Sequence, residues 1–209
     1  MPIVLTSSQI NTTKSKMSIT TKSMRDLSWV YCHQEFMAAR AKRYSKRTLS
    51  LHLVGYLASF GMYCRRAPLF LQQHYLVHED LIPILMQEKY APLFNVHSLA
   101  DFRANMPLMC EAYEEIKAYN AKKGFEPSMT LITKIMLGVY GCVSALDTQF
   151  LLNLKKVTGV ASTVFLKNLQ AIDDFLSINP ALDVYIASTA TSNPPYTYMR
   201  VFDDFLWHF

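Results

Sequence analysis

Two apolar segments interrupted by glycine constrain this chain most. One runs from Leu51 to Tyr63, contains Gly55 and Gly61, and is followed by Cys64, Arg65 and Arg66. The other runs from Thr133 to Asp147 and contains Gly138 and Gly141. Glycine weakens a helix interior, so in an apolar run it marks a turn or a close approach of backbones. The stretch from Thr48 to Cys64 is uncharged, but it holds His52, Ser50, Ser59 and two glycines, and falls short of the ~20 apolar residues of a membrane span. It reads as a buried central helix, with Gly55 and Ser59 letting a second helix pack closely.

The remaining periodicity is helical almost throughout. Asp26 reads as the N-cap of a first long helix, ending near Arg43. A helix from about Ser45 to Tyr63 follows, then one from Leu69 to about Val77. A short helix opens at His78-Glu79-Asp80 with Pro83 in an early turn. Ser98 caps a helix whose stripe is Leu99, Phe102, Met106, Met109, Tyr113 and Ile116, with Pro107 kinking or restarting it. Helices are expected from Ser128 to about Gly138, from Ala145 to about Lys156, after a Ser162 or Thr163 cap, and from about Tyr196. Asp183–Ala187 is the one strand-like run, and it fits a helix equally. The expected fold is therefore all-α: a compact multi-helix single domain with a central buried apolar helix. Its domain is residues 24–209, preceded by a flexible basic tail of residues 1–23, within which Met17 is an alternative start.

Composition narrows the function classes. With 6 glycines in 209 residues and no P-loop or dinucleotide fingerprint, a glycine-rich phosphate cradle is excluded. Apolar residues make up 51% and charged residues 18%, and the formal net charge is +5. The excess is uneven: Lys14, Lys16, Lys22 and Arg25 come before the first acid, and Arg40, Lys42, Arg43, Lys46 and Arg47 form a second basic run. Such a front half suits an anionic partner or simply a solvated face. The four cysteines are dispersed, with no CxxC pair, as expected of reduced, buried thiols in a cytoplasmic protein. No leader sequence, transmembrane segment, metal site or cofactor is expected.

Three sets of residues invite chemistry. Lys134, the Gly138/Gly141 turn and Asp147 loosely resemble helix-hairpin-helix DNA glycosylases and lyases, in which a lysine attacks the sugar and an aspartate at a helix start assists. The plainer alternative is a buried Lys134 and a helix-capping Asp147. His74 and His78 stand at i and i+4 with Glu79 adjacent, but not in a His-Glu-x-x-His zinc string. Arg65 and Arg66, at the end of the apolar helix, suit its dipole or an anion.

The segment Tyr56-Leu-Ala-Ser-Phe-Gly-Met62, with the following arginines, Leu71 and His78-Glu-Asp80, resembles a motif of a family of uncharacterised bacterial helical proteins. Thr133-Lys-Ile-Met-Leu-Gly-Val-Tyr-Gly-Cys142, continuing to Asp147 and Phe150, resembles the same family's second motif. The chain departs from that pattern at Arg66-Ala-Pro68 and at Ser144, where the family has small residues and proline. The resemblance implies a bacterial or phage-borne intracellular protein and brings no activity. The leading expectation is a helical protein of unknown role acting through protein or nucleic-acid contacts. A DNA-acting protein using Lys134 and Asp147 is the first alternative. The second is an anionic-ligand-binding domain built on Arg65, Arg66, His74, His78 and Glu79.

Overall fold

Apolar stripes at helical spacing, each started by a small polar residue, become helices packed on one another. The structure, a computed structural model, describes residues 2–21, 23–63, 74, 76–193 and 195–209. The helices are α1 (Ser7–Lys14), α2 (Ser18–Thr21), α3 (Met24–Ala41), α4 (Lys46–Ser59), α5 (Ile82–Leu85) and a 3-10 helix (Glu88–Asn95). They continue as α6 (Leu99–Lys122), α7 (Met129–Val139), α8 (Thr148–Thr158), α9 (Phe165–Ser177), α10 (Pro180–Ser192) and α11 (Tyr198–Trp207). The described residues contain no strand, so the architecture is all-α. The ambiguous Asp183–Ala187 run is the middle of α10.

Side-chain caps set most helix starts. Ser45, Ser98, Ser128, Asp147 and Thr197 each accept a backbone N–H in the first turn of the helix they precede. Two expected caps are corrected. Ser23, not Asp26, caps α3, and Asp26 sits in the first turn, where its carboxylate accepts the Ser23 hydroxyl. At α9 the N-cap is Val164 and no side chain caps it, because Asn168 instead ties the preceding loop by bonds to the backbone of Ser162 and Val164. Pro107 leaves α6 one unbroken assigned helix.

The centre of the molecule is α7. Every residue from Leu131 to Val139 is buried, and the helix packs on α3, α4 and α6. The expected central helix, α4, instead keeps one face open, exposing Leu51, Gly55 and Ala58. A Cβ added at Gly55 would meet nothing within 4 Å, so this glycine admits no close neighbour. Close approach occurs at the other segment. A Cβ at Gly138 would lie 2.5 Å from the Tyr56 ring, and one at Gly141, at φ +67°, 2.5 Å from Thr197.

The basic N-terminal segment is packed, in place of the flexible tail expected for residues 1–23. Leu5, Ile10, Met17 and Ile19 are buried. The Leu5 N–H donates to Asn179 Oδ1 at 2.7 Å, and Ile3 N–H to the Val157 carbonyl at 2.8 Å. A capping box of Thr6 and Gln9 starts α1. The chain's other end is docked as well: Asn153 on α8 donates to the carbonyls of Leu206 and Trp207.

Candidate functional site

The strongest concentration of charge lies where the N-terminal segment, α4, α7, α8 and α11 meet. Here a cavity of about 440 Å³ is lined by Arg25, Phe60, Lys134, Asp147, Arg200, Asp203 and Asp204, with Trp207 and His208 at its edge. Its size falls within the about 300–1,000 Å³ of small-molecule sites.

Lys134 comes from the middle of α7 and is 6% exposed. Its Nζ donates to the Phe60 carbonyl at the C-terminal end of α4, at 3.0 Å, and stands 3.9 Å from Asp147 Oδ2. Asp147 is the N-cap of α8, with its Oδ1 accepting the Phe150 N–H at 3.0 Å. One carboxylate thus starts a helix and faces an amine. The sequence pairing of Lys134 with Asp147 is a spatial pairing too.

The hairpin between them is not a phosphate cradle. Residues 138–146 are buried, and the Gly141 N–H is used by the Met136 and Leu137 carbonyls. Its glycines serve packing against Tyr56 and Thr197, so any phosphate contact has to come from side chains at the cavity.

Behind the pair lies a buried ionic cluster. Arg200 bonds Asp26 through Nη2 and Asp203 through Nη1, the latter at 3.0 Å. Asp203 also accepts the Ala145 N–H at 2.8 Å. Asp204 accepts the Ser18 hydroxyl at 2.6 Å and the Ile19 N–H at 3.0 Å, which fastens α2 to the site. Burial pushes the Asp203 carboxyl up to about 7, against the pull of Arg200, with Asp147 and Asp204 adding to the rise. The Arg200 Nε–H is buried and has no acceptor among the described residues. Arg25 sits on the rim with its guanidinium 5.6 Å from the centre of the Phe60 ring.

Of the other expected residues, those the structure describes lie elsewhere. His74 is exposed and accepts the Leu76 N–H, whereas His78 is fully buried, with Nε2 3.3 Å from the Tyr63 hydroxyl. The two histidines therefore share no face. Burial lowers His78 to about 4, which keeps it neutral. Glu79 pairs with Arg47 at 3.6 Å. Arg65 and Arg66 lie outside the described residues. Among the described residues no group of histidine, cysteine and carboxylate side chains is arranged to hold a metal, and no helix is long and apolar enough to cross a membrane.

Sequence reasoning passed over Arg25, Arg200, Asp203 and Asp204. A signal for the last three exists: they stand at i, i+3 and i+4 among the apolar residues of α11, where a surface helix would carry no charge. Comparison of the chain with protein-family models, curated proteins and solved structures finds no match.

Proposed function

We propose that the protein acts on nucleic acid and takes a nucleotide into the cavity beside Lys134 and Asp147. One observation carries this reading: a nearly buried amine and a capping carboxylate, from separate elements, stand 3.9 Å apart on the wall of a cavity of nucleotide size. The surrounding groups support it. Asp203 and Asp204 already accept bonds from inside the protein, and one Asp147 oxygen caps α8. Arg25, on the cavity lining, has no carboxylate within ion-pair distance among the described residues. The complement of such a site is an acceptor-rich anion. A nucleotide offers phosphate oxygens to Arg25 and a flat base to Phe60 and Trp207.

The chemistry this pair suits is attack on an aldehyde carbon, as in an opened abasic sugar. The amine hands a proton to Asp147, adds to the carbonyl carbon, and the carbinolamine loses water to leave an imine on Lys134. The test is borohydride trapping on an abasic oligonucleotide, with binding measured against salt. The wild type is expected to bind with an affinity that falls steeply as salt rises, and to be trapped. Lys134→Ala should lose trapping with its circular dichroism unchanged. Asp147→Ser, which keeps a capping oxygen, should slow trapping without loss of stability. A wild type that shows no salt-sensitive binding removes the reading. Binding without trapping leaves a nucleic-acid-binding protein with no lysine chemistry.

A further inference from the structure

We propose that the open face of the α3–α4 hairpin is a track for single-stranded nucleic acid, running from the turn at residues 42–45 to the cavity. The proposal rests on the nucleotide reading of that cavity and adds the partner's form and path. The two helices are antiparallel neighbours whose free ends meet at the site, where Arg25 of α3 lies over Phe60 just past α4. With 18 residues in α3, the turn lies about 27 Å away along the hairpin.

Three features mark the face between them. The first is charge. Lys42, Arg43 and Lys46 are exposed at the turn and have no carboxylate within ion-pair distance among the described residues, whereas Arg40 and Arg47 are engaged by Glu88 and Glu79. Helix α4 contains no acid at all. The second is aromatic surface: Tyr31 is 59% exposed, Tyr44 is exposed at the turn, and the half-buried His52 lines the same groove as Tyr31. The third is a groove of about 320 Å³ lined by Ser28, Tyr31, Leu51, His52 and Gly55. Gly55 leaves it open, since a side chain there would meet no neighbour within 4 Å. A basic anchor, stacking rings and an uncharged open groove are what a single strand bound without sequence preference needs. One exposed acid, Glu35, stands a turn from Tyr31 on α3, between that ring and the basic turn, and its charge opposes a strand on this face.

The experiment is fluorescence anisotropy of a labelled oligothymidylate of about twelve nucleotides, over a salt series, with the full chain. The triple substitution Lys42→Glu, Arg43→Glu, Lys46→Glu should weaken binding at least tenfold and lower the salt slope by about 2, which is about 0.7 for each of three phosphate contacts. Tyr31→Ala should weaken it about tenfold by loss of one stacked base. Glu35→Lys should tighten it. All are surface changes, and each variant's melting temperature checks that it is folded. No binding by the wild type at low salt overturns both the track and the cavity reading. Binding that survives the turn and Tyr31 substitutions but fails in Arg25→Ala and Lys134→Ala overturns the track alone. Equal competition by polyglutamate or by anionic vesicles also overturns it, because the turn is then a general anion surface.

Discussion

Gly138 and Gly55 separate two reasons for a glycine that look alike in the sequence. Both lie in apolar helical runs. At Gly138 the missing Cβ is filled by the Tyr56 ring, which is itself buried and wedged in the core. Gly138→Ala is expected to destabilise by about 1–3 kcal/mol, because a buried ring has to move. Gly55 has helical backbone and open space, so Gly55→Ala should instead stabilise by about 0.5–1 kcal/mol through helix propensity. Chemical denaturation of the two variants checks both signs at once. A stabilising Gly138→Ala would mean that Tyr56 has room to yield. The same scale explains Lys134: its amine closes the C-terminal end of α4 through the Phe60 carbonyl while standing 3.9 Å from Asp147 Oδ2.

At the scale of elements, the N-terminal segment changes most between sequence and structure. Its composition of serine, threonine and lysine reads as solvated chain. Yet four apolar residues, Leu5, Ile10, Met17 and Ile19, are buried, and Asp204 and Asn179 hold its backbone. Deleting residues 1–20 removes that surface, at about 1.5–3 kcal/mol for each fully buried side chain as an upper range. The truncated protein is therefore expected to melt well below the full chain, and an unchanged thermal midpoint would return the segment to the status of a tail. The helices themselves were legible, because three–four spacing and the serine caps at 45, 98 and 128 are local signals. The Lys134–Asp147 pair was legible for a similar reason, since one short hairpin carries both. The buried role of α7, the N-terminal docking and the Asp26–Arg200–Asp203 cluster were not. Each depends on which distant segment covers a residue, and a carboxylate such as Asp26 looks the same as a cap or as a buried ion-pair partner until Arg200 is beside it.

For the whole molecule, three buried groups set how stability follows pH. Burial lowers His33 and His78 to about 4 each, with His33 partly held up by its bond to the Val139 carbonyl. Between about pH 4 and 6.5 the unfolded chain binds these two protons and the folded one does not, so each histidine makes stability rise with pH. Asp203 has the opposite sign. Its folded value near 7 lies above its unfolded value of 3.8, so the folded state holds the proton more tightly and stability falls as pH rises through that window. Two against one leaves a net rise of about one proton, or about 1.4 kcal/mol per pH unit, up to about pH 6.5. Above that only Asp203 still titrates, and the curve should flatten and turn slightly down toward neutrality. Denaturation midpoints across this range are expected to follow that shape for the wild type. Asp203→Asn keeps an oxygen for the Ala145 N–H and removes the opposing titration, so its rise should steepen to about two protons and its downturn vanish. An Asp203→Asn curve parallel to the wild type would show that Asp203 is ionised throughout. Arg200 would then outweigh the burial of that carboxylate, and the cavity would carry one more fixed negative charge beside Lys134 and Asp147.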